Sequence, residues 1–141
     1  CYLARVAEER IEELGAYEYL VSDSPHWSPR PEGLHTLMTG IPNEMSVEWN
    51  EYLGAYLAVH SLDLTGKIVG RTAPQPWGPW SEPVELWQVE PPRLDYTIPY
   101  EHLIYAAKSH PELAENHGQV LYVTYIEFEE YFPHLVEITL A

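Results

Sequence analysis

The sequence predicts an all-β chain built from consecutive antiparallel meanders. Three observations carry that prediction. Short segments with period-two alternation or β-rich composition recur between turn signals, ~10 residues from one strand start to the next. Apolar stripes with a 3.6-residue period are absent beyond about three turns, so there is no long helix to build around. Two long stretches also repeat the same order of elements, and a repeat of this kind bears directly on architecture.

Taken in order, strands are expected at residues 2–6, 17–21, 44–49, 55–60, 67–72, 84–89, 103–108, 119–125 and 134–140. Residues 8–14, acidic at their start and closed by Gly15, are the one helix candidate, short enough to be a single turn or two. The first repeat runs from Glu44-Met-Ser-Val-Glu-Trp49 through an acidic turn closing on Gly54 into strands 55–60 and 67–72. The second runs from Leu103-Ile-Tyr-Ala-Ala-Lys108 through His110-Pro-Glu-Leu113 and Gly118 into strands 119–125 and 134–140. The first unit continues through the Pro- and Trp-rich segment 73–83 into a fourth strand, 84–89. Residues 2–6 and 17–21 look like the last two strands of an earlier unit.

Four-stranded units stacked around an axis describe a β-propeller, whose blades bury both faces against their neighbours. The strand 119–125 suits that arrangement. Val120, Tyr122 and Thr124 point one way, Leu121, Val123 and Tyr125 the other, and neither set is charged. A two-sheet sandwich also uses many short strands; the repeat favours the propeller. With 141 residues, one domain's worth of chain, the sequence holds about two to two and a half blades. Residues 1–141 therefore read as a fragment of a single β-propeller domain.

Charge narrows the partners. Twenty-two Asp and Glu against seven Lys and Arg leave a net charge of −15, which repels a phosphate backbone or an anionic membrane surface. No apolar run approaches the ~20 residues of a membrane-spanning helix. Aromatic residues make up 13% of the chain, enough to argue against disorder despite the charge. The single cysteine, Cys1, cannot form an internal disulfide and leaves the redox compartment open. No P-loop, dinucleotide fingerprint or Gly-x-Ser-x-Gly elbow is present.

The stretch Glu44-Met-Ser-Val-Glu-Trp-Asn50, followed by Arg71-Thr-Ala-Pro-Gln-Pro-Trp-Gly-Pro-Trp-Ser-Glu-Pro83, resembles the C-terminal part of the domain-of-unknown-function family 4185. The resemblance extends over nearly the whole chain, including the closing Pro133-His-Leu-Val-Glu-Ile-Thr-Leu140. That family is similar to the five-bladed propeller glycosidases, and some members cleave D-arabinan internally. The resemblance implies a five-bladed propeller of about twice this length, of which residues 1–141 are the C-terminal portion with the N-terminal blades upstream, and a glycoside hydrolase acting on a furanose-containing, arabinan-like polysaccharide. A non-catalytic carbohydrate-binding propeller is the alternative. It further implies a polysaccharide or oligosaccharide partner, a secreted or cell-surface setting, and an acidic residue upstream of Cys1 as nucleophile or base. The chain by itself is then expected to be inactive.

Glycoside hydrolysis commonly needs two carboxyl groups about 5 to 9.5 Å apart across the scissile bond. Propellers present such groups on the innermost strands. Glu44 opens the innermost strand of the complete unit, after the turn residues Ile41-Pro-Asn43, and is the candidate catalytic acid or sugar-hydroxyl ligand; an ordinary solvated strand-end carboxylate is the plain alternative. Glu48 shares its side-chain parity but lies deeper. Tyr105 and Lys108, on the matching strand of the last unit, are candidate substrate-binding residues, against a core tyrosine and an exposed lysine. Trp27 and His35, in a Pro-rich segment from Ser22 to His35 too irregular for regular structure, would suit a saccharide cleft, against packing of the segment onto a blade. His110, Trp77 and Trp80 are assigned to structure, and Arg71 to pairing with one of the many acids. Seven histidines without His-x-His or His-Glu-x-x-His spacing give no reason to expect zinc, and no cofactor is expected. An axial calcium stays compatible with the plentiful carboxylates, though no Asp-x-Asp-x-Asp loop supports it.

Overall fold

A strand with one apolar face lowers its free energy only by turning that face onto another layer, so alternating segments assemble into stacked sheets. The computed structural model describes residues 1–63, 65–90, 103–128 and 130–141. Among these, ten strands form three antiparallel sheets in chain order. The first holds β1 (Ala4–Arg5), β2 (Glu18–Ser22) and β3 (His26–Ser28). The second holds β4 (Met45–Asn50), β5 (Ala55–Leu62), β6 (Lys67–Ala73) and β7 (Val84–Gln88). The third holds β8 (Ile104–Ser109), β9 (Val120–Glu127) and β10 (Phe132–Thr139). Within each sheet, neighbours in space are neighbours in sequence, which is the meander the spacing predicts. The helix candidate becomes two 3-10 turns, Glu8–Arg10 and Leu14–Ala16.

The second and third sheets share one apolar core. Leu57 and Val59 of β5 and Ile68 of β6 pack against Ile104 and Ala107 of β8, Leu121 and Val123 of β9 and Ile138 of β10. Leu57 and Val59 share one face of β5 and Leu121 and Val123 one face of β9, as period two requires, whereas Ile104 and Ala107, three positions apart, both reach the core because the register of β8 shifts between Tyr105 and Lys108. The first strands of the two sheets, β4 and β8, run beside one another: Ser46 and Ser109 meet hydroxyl to hydroxyl at 3.0 Å, and the Ser109 N–H donates to Ser46 Oγ at 2.8 Å. Consecutive meanders stacked face to face, with their first strands adjacent, fit successive blades of a β-propeller. On β9, Leu121 and Val123 are fully buried while Val120, Tyr122 and Thr124 on the other face are half-buried.

The repeated turns also bond to each other. Asn50, closing β4, is 3% exposed; its amide donates to Gly118 O at 2.8 Å and its carbonyl accepts from Leu53 N–H at 2.9 Å. Tyr52 N–H donates to His117 O at 2.8 Å. Gly118 is required there: its φ is +90°, and a Cβ would sit 2.5 Å from Asn50 Nδ2. The segment after β3 ties the first sheet in. His35 N–H donates to Leu20 O, Leu37 N–H to Cys1 O, and Gly40 O accepts from Asp63 N–H, all at 2.9 to 3.0 Å.

Two expectations are corrected. The segment from Ser22 to His35 contains a regular strand, β3, because pairing of Leu20 with Trp27 and Tyr19 with Ser28 satisfies its backbone despite the flanking prolines. Arg71 has no acidic partner among the described residues. Its Nε donates to His60 Nε2 at 3.2 Å, and its terminal nitrogens donate to Ser81 O at 3.3 Å and Thr39 O at 3.1 Å. His60 is fully buried, and its Nδ1–H donates to Ser61 O at 2.7 Å, so Nε2 carries the lone pair that receives Arg71.

Truncating Leu121, 1% exposed at the centre of the shared core, removes contacts to both sheets. Leu121→Ala is expected to cost about 2–5 kcal/mol in urea unfolding. Burial, and secondarily the Arg71 charge, hold His60 below its ordinary pKa of 6.5. Above pH 6.5 both folded and unfolded chains carry a neutral imidazole and the group is silent. As pH falls below that, the unfolded chain takes up the proton first and stability drops. The stability of His60→Gln should fall less steeply than the native protein's between pH 6.5 and about pH 5 in unfolding titrations.

Candidate functional site

The leading ends of β4 and β8 open onto a cleft of about 760 Å³. Pro42 and Asn43 enter it from the loop before β4, Asp63 from the end of β5, Leu103 and Tyr105 from β8, and Phe128 and Tyr131 from the turn joining β9 to β10. Three of the four contributing elements are bent locally. Asp63 has φ +45°, Ala106 beside Tyr105 has φ +57°, and Tyr131 has φ +51°. These are three of the five non-glycine residues with positive φ among the described residues. Such backbone costs about 1–3 kcal/mol per residue and clusters where a fold positions functional side chains.

Each bend has an anchor. Asp63 N–H is held by Gly40 O, and Gly40 (φ +77°) admits the approach, since a Cβ there would lie 3.1 Å from Leu62 Cδ1 and 3.5 Å from Asp63 Oδ1. At Ala106 the β8–β9 register slips between Tyr105 and Lys108, a bulge pinned by the Ala107 N–H donating to the buried Ser61 Oγ at 3.3 Å. A bulge of this kind re-aims the side chain before it. Tyr131 N–H donates to Glu127 O at 2.8 Å, and Phe128 N–H to Leu103 O at 3.1 Å.

Glu44 directly precedes β4 and is exposed. Partial desolvation, then Tyr131, then the charge of Glu44 push the Tyr105 phenol above its ordinary pKa of 10. Of the expected site residues, Tyr105 lines the cleft, while Glu44 is not among the described lining residues and acts on Tyr105 through its charge. Lys108 is exposed farther along β8, where its charge, after stronger contributions from hydrogen bonds, helps hold Glu112 below the usual carboxylate range. Trp27 lies on β3 with the Arg5 guanidinium 4.2 Å over its ring, and Arg5 is in turn held by Glu18 at 2.7 Å. His35 is tied to the first sheet by its backbone; neither it nor Trp27 is among the described residues lining the cleft. His110 bonds Glu112 at 3.0 Å and Thr124 Oγ1 at 2.8 Å.

A second polar feature runs down the β4–β8 seam. Ser109 Oγ donates to Glu48 Oε1 at 2.8 Å, while Glu48 Oε2 is sealed from solvent without a hydrogen-bond partner among the described residues. Burial therefore raises the Glu48 pKa above 4.5, against the lowering effect of the Ser109 bond. Below Glu48 the seam opens on a smaller pocket of about 230 Å³ between the two repeated turns.

Asp63, Phe128 and Tyr131 escaped the sequence reading because the turns that carry them follow no strand period. The one local signal was an aromatic pair inside the acidic turn between the last two strands, where solvated turns favour small polar residues. Aromatic walls with an amide and carboxylates beside them can stack on an apolar ring face and read hydroxyl groups.

Fold and cleft define an all-β protein of the propeller type with an aromatic, acid-bearing pocket at the leading ends of two adjacent sheets. The chain belongs to the family described as domain of unknown function, DUF4185, whose model matches residues 1–137. No curated protein matches it.

The buried carboxyl of Glu48 yields a prediction. With its folded pKa raised, the group stabilises the fold most below pH 4.5, and that contribution is lost as pH rises through the folded value. Glu48→Gln, which keeps the acceptor for Ser109 and removes the buried charge, should lack this loss. The variant should gain stability relative to the native protein as unfolding is followed from pH 4.5 to 7.

Proposed function

We propose that the protein containing this chain is a glycoside hydrolase acting on a furanose-containing polysaccharide of the arabinan kind. The observation that supports this reading is the cleft in which Tyr105, Phe128 and Tyr131 stand beside Asn43 and Asp63, with the charge of Glu44 acting on Tyr105. In it, the aromatic rings stack on the apolar faces of sugar rings, and Asn43 and Tyr105 bond hydroxyl groups. Glu44 serves as the acid or as a ligand to a sugar hydroxyl. Asp63, on the same cleft, is a second carboxyl among the described residues, alongside any acid from upstream. Trp27, His35 and Lys108 stand farther from the chemistry and would touch only an extended substrate.

Replacing Glu44 by Gln in the complete protein and measuring oligosaccharide release from arabinan tests the assignment. Turnover is expected to fall at least about a hundredfold, the scale of a lost general acid. Undiminished turnover removes Glu44 from the reaction. Binding of the polysaccharide without any release by the unaltered protein would leave a carbohydrate-binding propeller in place of a hydrolase.

A further inference from the structure

The turn that carries Phe128 and Tyr131 into the cleft also folds three donors onto one point. Glu127 ends β9, Glu130 sits in the turn and His134 lies on β10, and one atom from each falls within 4.8 Å of the others. His134 Nε2 is 3.1 Å from Glu130 Oε2 and 3.6 Å from Glu127 Oε2. Ligands held about 2.0–2.2 Å from a divalent first-row ion stand about 3.0–3.6 Å apart along a coordination edge, and both separations fall in that range.

The imidazole supplies an independent observation. Its Nε2 is sealed from solvent, yet it meets hydrogen-bond geometry with neither carboxylate, nor with any other described group. Placed 3.1 and 3.6 Å from two carboxylate oxygens and hydrogen-bonded to neither, this nitrogen stands where a shared cation would hold all three groups. The ring is fixed in that direction by stacking on Tyr125, centroids 5.1 Å apart and planes at 13°, and by the edge contact of Phe132 at 6.4 Å. Glu127 is held deep, with 10% of its side chain exposed, while Glu130 at 41% leaves an approach from solvent. One imidazole nitrogen with two carboxylate oxygens favours zinc-class ions over calcium, which takes six to eight oxygens.

We propose that Glu127, Glu130 and His134 bind a divalent zinc-class ion that clamps the β9–β10 turn. The spacing Glu-x-x-Glu-x-x-x-His matches no familiar zinc motif, because the hairpin, not a helix face, brings the donors together. The ion's role is structural: it cancels the repulsion between two adjacent carboxylates and orders the turn that presents Phe128 and Tyr131. This site stands whether or not the cleft hydrolyses a polysaccharide.

Zinc titrated calorimetrically into the metal-free full chain is expected to fill one site per chain, and cobalt in its place to give visible d–d absorption. Glu130→Gln, a change at an exposed turn position, should weaken zinc binding at least about tenfold with an unchanged circular dichroism spectrum. His134→Gln should do the same and alter the cobalt bands, which report the loss of a nitrogen ligand. Calcium should not compete. The proposal is overturned by absence of saturable equimolar binding, by zinc binding that both variants retain at full affinity, or by displacement of zinc with calcium at equal concentration.

Discussion

Everything that positions the cleft depends on the face-to-face packing of the second and third sheets. Leu57, Val59 and Ile68 meet Ile104, Ala107, Leu121 and Val123 in one dry layer, and that contact sets β4 beside β8. Burying this apolar surface supplies the free energy; it carries no directional information of its own. Direction comes from the polar seam along its edge, where Ser46, Ser109 and Glu48 bond across the boundary and Asn50 locks one repeated turn onto the next. A slip of β8 by one residue would turn its core side chains outward and break each of these bonds, so the seam and the core specify the same register.

The fold also contains unfavourable terms. A carboxylate with one oxygen sealed and unpartnered, a neutral histidine serving as acceptor for an arginine, and left-handed backbone at Asp63, Ala106 and Tyr131 all raise the free energy of the folded state. A well-packed interior can hold them. Three of them border the cleft, and that coincidence is the structural reason for reading the cleft as functional.

Much of this was legible in the residues, though unevenly. Strands β4, β5, β6, β8, β9 and β10 follow from period-two alternation, and the repeat sets Glu44 and Tyr105 on matching strands of successive units. β3 was not legible, because three residues between prolines carry no period and exist as a strand only through pairing with β2. The partners of Arg71 were misjudged because composition favours an acid, whereas the fold offers a buried imidazole and two carbonyls from distant segments. Asp63, Phe128 and Tyr131 reach the cleft through bends that depend on anchors elsewhere in the chain, Gly40 and Glu127 among them. The Glu127, Glu130 and His134 group is invisible for a related reason: its members are neighbours only after β9 and β10 pair in register.

The central claim is that two adjacent sheets deliver a saccharide cleft at the leading ends of β4 and β8, away from the aromatic residue of β3. Ring resonances of Tyr105, Tyr131 and Trp27 followed by NMR during titration with an arabinan oligosaccharide test it most directly. The account predicts that Tyr105 and Tyr131 shift together along one saturation curve while Trp27, already covered by Arg5, stays in place. Shifts confined to Trp27, or none at saturating sugar, would contradict it.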